Sequence, residues 1–167
     1  MTSPIVRLAE VETFNSTPGN SQRFGADLAP LGPQLKLDGI GCMYIEVEPG
    51  KRAFPFHSHL GNDELFVVLE GTGVYRYGDQ EYEIAAGDLC AAPRGGPGTA
   101  HQIINRGADK LKYLAISTKQ DPDICEYPDS DKFAAIAIRP GPDFANAHMR
   151  FVGRAESAVS YFDGEEF

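Results

Sequence analysis

Long apolar runs are missing from this chain of 167 residues. No stretch approaches the roughly 20 apolar residues that a bilayer-spanning helix needs, so a membrane is not an expected partner. Cysteine is scarce: Cys42, Cys90 and Cys125 are scattered and include no C-x-x-C pair. The opening MTSPIVRLAEVE carries acidic residues early and no apolar central block, unlike a secretory signal. An odd cysteine count without such a signal reads as reduced thiols in a cytoplasmic protein. Basic charge is also short, 15 Lys and Arg against 24 Asp and Glu, for a net charge of −9. That balance argues against nucleic acid or an anionic membrane as the main partner, while leaving room for a local basic pocket. No long segment carries a helical period, and no internal repeat, low-complexity tract or second domain is evident.

What the sequence does have is a succession of short apolar segments separated by turn residues. Hydrophobic residues make up 42% of the chain, enough for one good core. Residues 1–35 hold scattered Pro, Gly, Asn and Ser and read as an arm draped over the domain, with a short helical or irregular start at Ile5–Val11. Residues 36–118 read as strands: Gly39–Glu48, Glu64–Glu70, Val74–Tyr77 with a turn at Gly78-Asp79, Glu81–Ile84, His101–Asn105 and Leu111–Ser117. Short strands at this spacing predict an all-β sandwich or barrel. Residues 119–167 read as an extension packed on the same domain. Phe133–Ile138 is one more expected strand, ended by Pro140 and Pro142, and Met149–Val152 and Val159–Phe162 are further strand candidates.

Two clusters carry the chemistry. The first is PGKRAFPFHSHLGNDELFVVLEG, with Gly50, His57, His59, Glu64 and Gly71; the second is GDLCAAPRGGPGTAHQIIN, with Gly87, Pro93, Gly98, His101 and Asn105. Side chains alternate along a strand, so His57 and His59 point the same way. Glu64 opens the next strand, and His101 opens a later one. Three imidazoles and a carboxylate suit one divalent transition metal, with Fe, Mn, Ni, Zn and Cu all compatible.

Both clusters resemble the two motifs of the cupin superfamily. The first motif is a glycine, H-x-H, three or four residues, E, six residues, G. Here four residues separate His59 from Glu64, and six separate Glu64 from Gly71. The second is a glycine, five residues, then P-x-G-x-x-H-x-x-x-N. Gly87 to Pro93 and Gly98 to Asn105 fit, but Arg94-Gly95-Gly96-Pro97 makes the intervening loop longer than the pattern's single residue. The likeness extends over about residues 40–118. The tract DPDICEYPDSDKFAAIA at 121–137 and the late SYFDGEE are similar to stand-alone bacterial cupins, some of them labelled sugar-phosphate isomerases. The resemblance implies a double-stranded β-helix (jelly-roll) barrel, metal ligation by His57, His59, Glu64 and His101, and a homodimer.

Other residues have plainer readings. Gly50, Gly71, Gly73, Gly78, Gly87 and Gly98 read as turn glycines with positive φ. Gly95-Gly96 lacks the context of a phosphate loop. Asn105 closes a strand, where backbone hydrogen bonding is its common role. His148 has no partner pattern. Alternation places Phe66 and Val68 with Glu64, and Ile103 with His101. Tyr44, Arg76 and Tyr113 are candidates for a substrate pocket, beside Tyr75 and Tyr77, and Arg52, Arg94 and Lys112 join Arg76 as anion partners. A buried structural thiol is the expected role of Cys90. Three functions fit: a Lewis-acid isomerase, epimerase or lyase acting on a small polar or anionic molecule, a non-haem iron dioxygenase, or a non-catalytic sensor or storage protein for a small ligand.

Overall fold

Among the described residues the chain forms thirteen short strands separated by turns and loops. The structure is a computed structural model and describes residues 3–140 and 145–166. In chain order the strands are β1 Phe14–Asn15, β2 Asp27–Pro30, β3 Ile40–Val47, β4 Ser58–His59, β5 Glu64–Glu70, β6 Thr72–Tyr77 and β7 Gln80–Ala85. They continue with β8 Leu89–Ala92, β9 His101–Ile104, β10 Leu111–Thr118, β11 Asp123–Tyr127, β12 Lys132–Ala137 and β13 Met149–Gly153. Helix among the described residues is confined to three-residue 3-10 turns, one of them Leu8–Glu10 within the expected irregular start.

One layer is a six-stranded sheet in the order β1-β2-β3-β10-β5-β8. The facing layer is built from β7-β6-β9 and from β13-β12-β11-β4. A bridge between His57 and His101 joins these two pieces, each residue's N–H donating to the other's carbonyl at 3.2 and 2.8 Å. β3 to β10 thus divide between two facing sheets as β3-β10-β5-β8 and β7-β6-β9-β4. That is the jelly-roll order of a double-stranded β-helix.

Alternation along the strands fills the space between the layers. Ile45 and Val47 of β3, Val68 of β5, and Leu111 and Tyr113 of β10 are fully enclosed there, with Phe66, Cys90 and Ile103 packed beside them. The intervening residue Tyr44 faces the other way, into a separate cluster with Ala29 and Leu31. Gly71 lets the chain turn the corner from β5 to β6 and so from one sheet to the other. Its φ is +82°, and a Cβ there would lie 2.7 Å from the Lys110 carbonyl oxygen. Gly50, Gly78 and Gly87 also take positive φ; Gly73 and Gly98 do not. At Gly73 the constraint is close approach instead, because a Cβ would meet the Ile104 carbonyl oxygen at 2.7 Å. Asn105 is a structural clamp. Its buried amide donates to the carbonyls of Val47 and Asp109 and accepts from the Gly107 N–H.

The terminal segments are more integrated than their composition suggests. β2 of the arm pairs along β3, and Ala26 and Leu28 enter the main core. β12 and β13 occupy the expected positions, but residues 161–164 form turns rather than a strand. Pro142 lies outside the described residues. β11 was not anticipated: DICEY is short, half charged or polar, and hemmed by prolines, so its strand character comes from pairing with β4 and β12.

Candidate metal centre

Three short pieces of backbone bring the centre together. β4 and its preceding residue present His57 and His59 on one face, β5 opens with Glu64, and β9 opens with His101. The His57–His101 bridge fixes those two imidazoles side by side, with ring centroids 4.6 Å apart. The longer loop after Pro93 docks against β4, where the Gly95 N–H donates to the His59 carbonyl at 2.8 Å. All three imidazoles turn Nε2 toward the same carboxylate oxygen. Glu64 Oε2 lies 3.7 Å from His57 Nε2, 3.5 Å from His59 Nε2 and 2.8 Å from His101 Nε2.

The opposite ring nitrogens explain this orientation. His57 Nδ1 lies 2.8 Å from the Pro55 carbonyl, His59 Nδ1 2.6 Å from Asp123 Oδ2, and His101 Nδ1 3.3 Å from the Thr99 carbonyl. Each of these partners can only accept, so each Nδ1 carries the proton and donates. In the neutral rings the Nε2 lone pairs then face a carboxylate oxygen, an arrangement that repels unless a proton or a cation lies between them. Donors bonded to one ion at roughly 2.0–2.2 Å sit about 3.0–3.5 Å from one another. Of the spacings to Glu64 Oε2, that of His59 Nε2 at 3.5 Å falls in this range, and those of His57 at 3.7 Å and His101 at 2.8 Å flank it. His57, His59 and Glu64 offer ligand atoms within 4.8 Å of one another, a group that could hold a metal ion, and His101 adjoins it through Glu64.

Electrostatics separate the imidazoles. Burial and the neighbouring His101 push His57 down to about 4, against the pull of Glu64. Burial would lower His59 too, but its hydrogen bonds to Asp123 and Cys125 and the charge of Glu64 push it up to about 10. Burial would raise Glu64, yet the three histidines hold it below the usual carboxylate range.

The centre lies between two cavities. The smaller, about 210 Å³, is the barrel interior, lined by His57, Glu64, Phe66, His101, Ile103 and Tyr113 among others. The larger, about 480 Å³, reaches His59 and Glu64 from the side of the C-terminal extension, with Asp123, Cys125, Lys119 and Arg139 in its wall. Tyr113, a pocket candidate, lines the smaller cavity. Tyr44 and Arg76 line neither cavity. Tyr44 lies on the outer face of the sheet, with its hydroxyl donating to Glu46. Arg76 makes a bidentate pair with Asp129 at 2.7 and 2.9 Å and lies 3.6 Å from the Phe56 ring centre. Tyr75 Oη donates to the Ala91 carbonyl. Lys112 pairs with Glu70, while Arg52 and Arg94 are likewise absent from the walls. Sequence reasoning missed Asp123, Cys125, Lys119 and Arg139. Asp123 and Cys125 share the i, i+2 spacing of His57 and His59, the one signal in the sequence that could have found them.

Comparison with known proteins agrees with this fold. The cupin-domain family model matches residues 43–117. Those residues form a cupin domain. They span β3 to β10 and contain all four converging side chains. Over 72 residues the chain is 32% identical to an oxalate-binding protein of Thermotoga maritima, covering 43% of this chain and 56% of that protein. An uncharacterized Methanocaldococcus jannaschii protein is 32% identical over 74 residues, 42% of this chain and 57% of that one. The chain therefore spans a little over half the length of these relatives. The crystal structure described as a sugar phosphate isomerase from a cupin superfamily, from Silicibacter pomeroyi, superimposes over 96% of this chain and 98% of that one. Its TM-score is 0.75 at 23% identity, a likeness of fold that takes in both terminal segments. A predicted oxalate decarboxylase of T. maritima matches 70% of this chain and 99% of its own, with TM-score 0.59 and 24% identity. Cupin domains typically bind a divalent metal, and the His/Glu cluster is the candidate site for one here.

Proposed function

We propose that this cupin is a metal-dependent enzyme acting on a small polar or anionic molecule, with His57, His59, Glu64 and His101 as the metal ligands. The observation that carries the reading is the convergence of three imidazole Nε2 atoms on one Glu64 oxygen. A bound divalent ion would supply Lewis-acid polarisation of a substrate oxygen, the chemistry of isomerases, epimerases and lyases. The chain's own residues do the rest. Glu64 and the histidines orient one another, the apolar walls at Phe66 and Ile103 exclude water from one side, and the larger cavity admits the substrate from the other. Lys119 and Arg139 are the cations in that wall, and they take the place of Arg52, Arg76, Arg94 and Lys112 as anion partners. Arg139 meets Asp38 at 3.0 Å with both side chains largely exposed, an ion pair weak enough for a substrate anion to replace.

A second reading is simple capture of a small carboxylate without turnover. The relative named as an oxalate-binding protein, 32% identical over 72 residues, favours it. We further propose a homodimer in the reducing cytoplasm, where the three free thiols are stable. The deciding experiment is elemental analysis followed by aerobic and anaerobic screens of sugars, sugar phosphates, keto acids and dicarboxylates. Anaerobic turnover supports the Lewis-acid enzyme, oxygen-dependent turnover replaces it with a dioxygenase, and saturable binding without turnover supports the capture reading.

A further inference from the structure

Asp123 lies outside the matched cupin domain, on β11 of the C-terminal extension, yet its carboxylate reaches the back of His59. Oδ2 accepts the His59 Nδ1–H at 2.6 Å and the Asn62 amide at 2.8 Å. Oδ1 accepts the backbone N–H groups of Gly61 at 2.9 Å and Ile124 at 2.8 Å. Asn62 is buried and is itself held: its carbonyl oxygen accepts from Thr118 Oγ1 and from the Gln120 N–H, and its amide also donates to the Gln120 carbonyl. Gly61 is tight against the carboxylate, since a Cβ there would lie 2.9 Å from Asp123 Oδ1. Four N–H donors, with Cys125 Sγ 4.0 Å from Oδ2 as a further contact, hold this carboxylate in one orientation. His57 and His101, by contrast, are backed only by neutral carbonyls.

We propose that Asp123 is a positioning residue that fixes His59 with Nδ1–H toward β11 and Nε2 toward the metal, so that the C-terminal extension sets the affinity of the centre. This rests on the metal reading given above. A charge-assisted bond at this length outcompetes the neighbouring Cys125 Sγ, which lies 3.2 Å from the same nitrogen. It leaves Nε2 as the lone-pair atom and makes it a stronger donor, the role carboxylates play behind ligand histidines generally. Asp123 is saturated with hydrogen bonds, so it orients His59 and does not act as a free base.

The test uses the full chain labelled with ¹⁵N-histidine, zinc as the probe metal, and the variants Asp123→Asn, Asp123→Ala and Cys125→Ser. The wild type is expected to show a downfield, exchange-protected Nδ1 proton on His59 before zinc is added. Asp123→Asn places an amide donor against two donors, so it and Asp123→Ala should lose that proton, whereas Cys125→Ser should keep it. Zinc affinity, read by chelator competition, should fall about 10–100-fold in both Asp123 variants. Asp123→Asn preserves the side chain's shape, and its backbone amide spectrum shows whether the fold is intact. A protected proton and an affinity within about twofold of wild type in a folded Asp123→Asn would overturn the inference, as would loss of the proton in Cys125→Ser alone. A wild type that takes up no zinc overturns the metal reading itself, a result distinct from normal uptake that is indifferent to Asp123.

Discussion

At the scale of single residues, the centre depends on atoms that belong to different strands and meet only through backbone pairing. Replacing His57 or His101 with alanine removes a donor from one side of Glu64 Oε2. Each variant should lose metal affinity by more than about 100-fold, beyond the range typical of residues behind the ligands, with wild-type secondary structure. Elemental analysis after dialysis reads the loss, and full occupancy in both variants refutes the ligand set. The core gives a separate residue-scale expectation. Ile45 is completely enclosed. Truncation to alanine deletes buried methylenes and leaves a cavity, costing about 2–5 kcal/mol, measurable by urea unfolding. Gly71→Ala should also destabilise, because both its positive φ and the Lys110 carbonyl oppose a Cβ.

At the scale of elements, the arm is tied to the barrel by charge as well as by pairing. Lys110, just before β10, meets Glu46 of β3 at 2.9 Å, Glu48 at 3.1 Å and Asp27 of β2 at 3.6 Å. Burial would raise Glu46, but hydrogen bonds from Lys110 and Tyr44 hold it below the usual carboxylate range. A depressed carboxylate contributes stability above its unfolded value and loses it as pH falls through the folded one. Lys110→Met leaves the carboxylates facing one another. It should cost about 1 kcal/mol near neutrality, since these groups are partly exposed. The cost should shrink as pH falls from neutral through the ordinary carboxylate range of about 4, where protonation relieves the repulsion. Chemical unfolding of both proteins at several pH values reads this, and a cost that grows on acidification refutes it. Elements also mark where sequence reading stopped. β3, β5, β6, β7 and β10 were legible because they alternate or are rich in β-formers between turn residues. β11 was not, because five residues of mixed polarity have no period, and pairing with β4 and β12 alone makes them a strand.

At the scale of the whole molecule, the proposed metal and the proposed partner copy each have a measurable consequence. An ion that binds only the folded chain adds about 2.7 kcal/mol at 100 times its Kd. For a domain of this size that raises Tm by about 5–10 °C. Chelation should reverse the rise, and a Tm indifferent to both metal and chelator argues against the centre. The proposed homodimer has a structural motive at the C-terminal side. Among the described residues β13 pairs only with β12, and Met149, Phe151 and Val152 are about half exposed. Tyr161 is 91% exposed in the tail that follows. Exposed apolar strand edges invite pairing with another chain. Light scattering should give twice the chain mass of 18.1 kDa, and a monomer at micromolar concentration refutes the dimer.

By itself, the sequence determined the strand-rich class, the two motif clusters and the four side chains that converge, because alternation and turn chemistry are local and survive in linear order. Only the tertiary structure decided which tyrosines and cations face the centre. Tyr44 and Tyr113 lie on neighbouring strands with the same local pattern, yet register sends one outward and the other into the barrel. Arg76 is drawn away by Asp129, 53 residues later in the chain. Lys119 and Arg139 reach the cavity wall because the extension folds back across β4, and Asp123 meets His59 across 64 residues for the same reason. Such contacts are set by sheet pairing between distant segments, and the i, i+2 spacing of Asp123 and Cys125 is as much of them as local pattern carries.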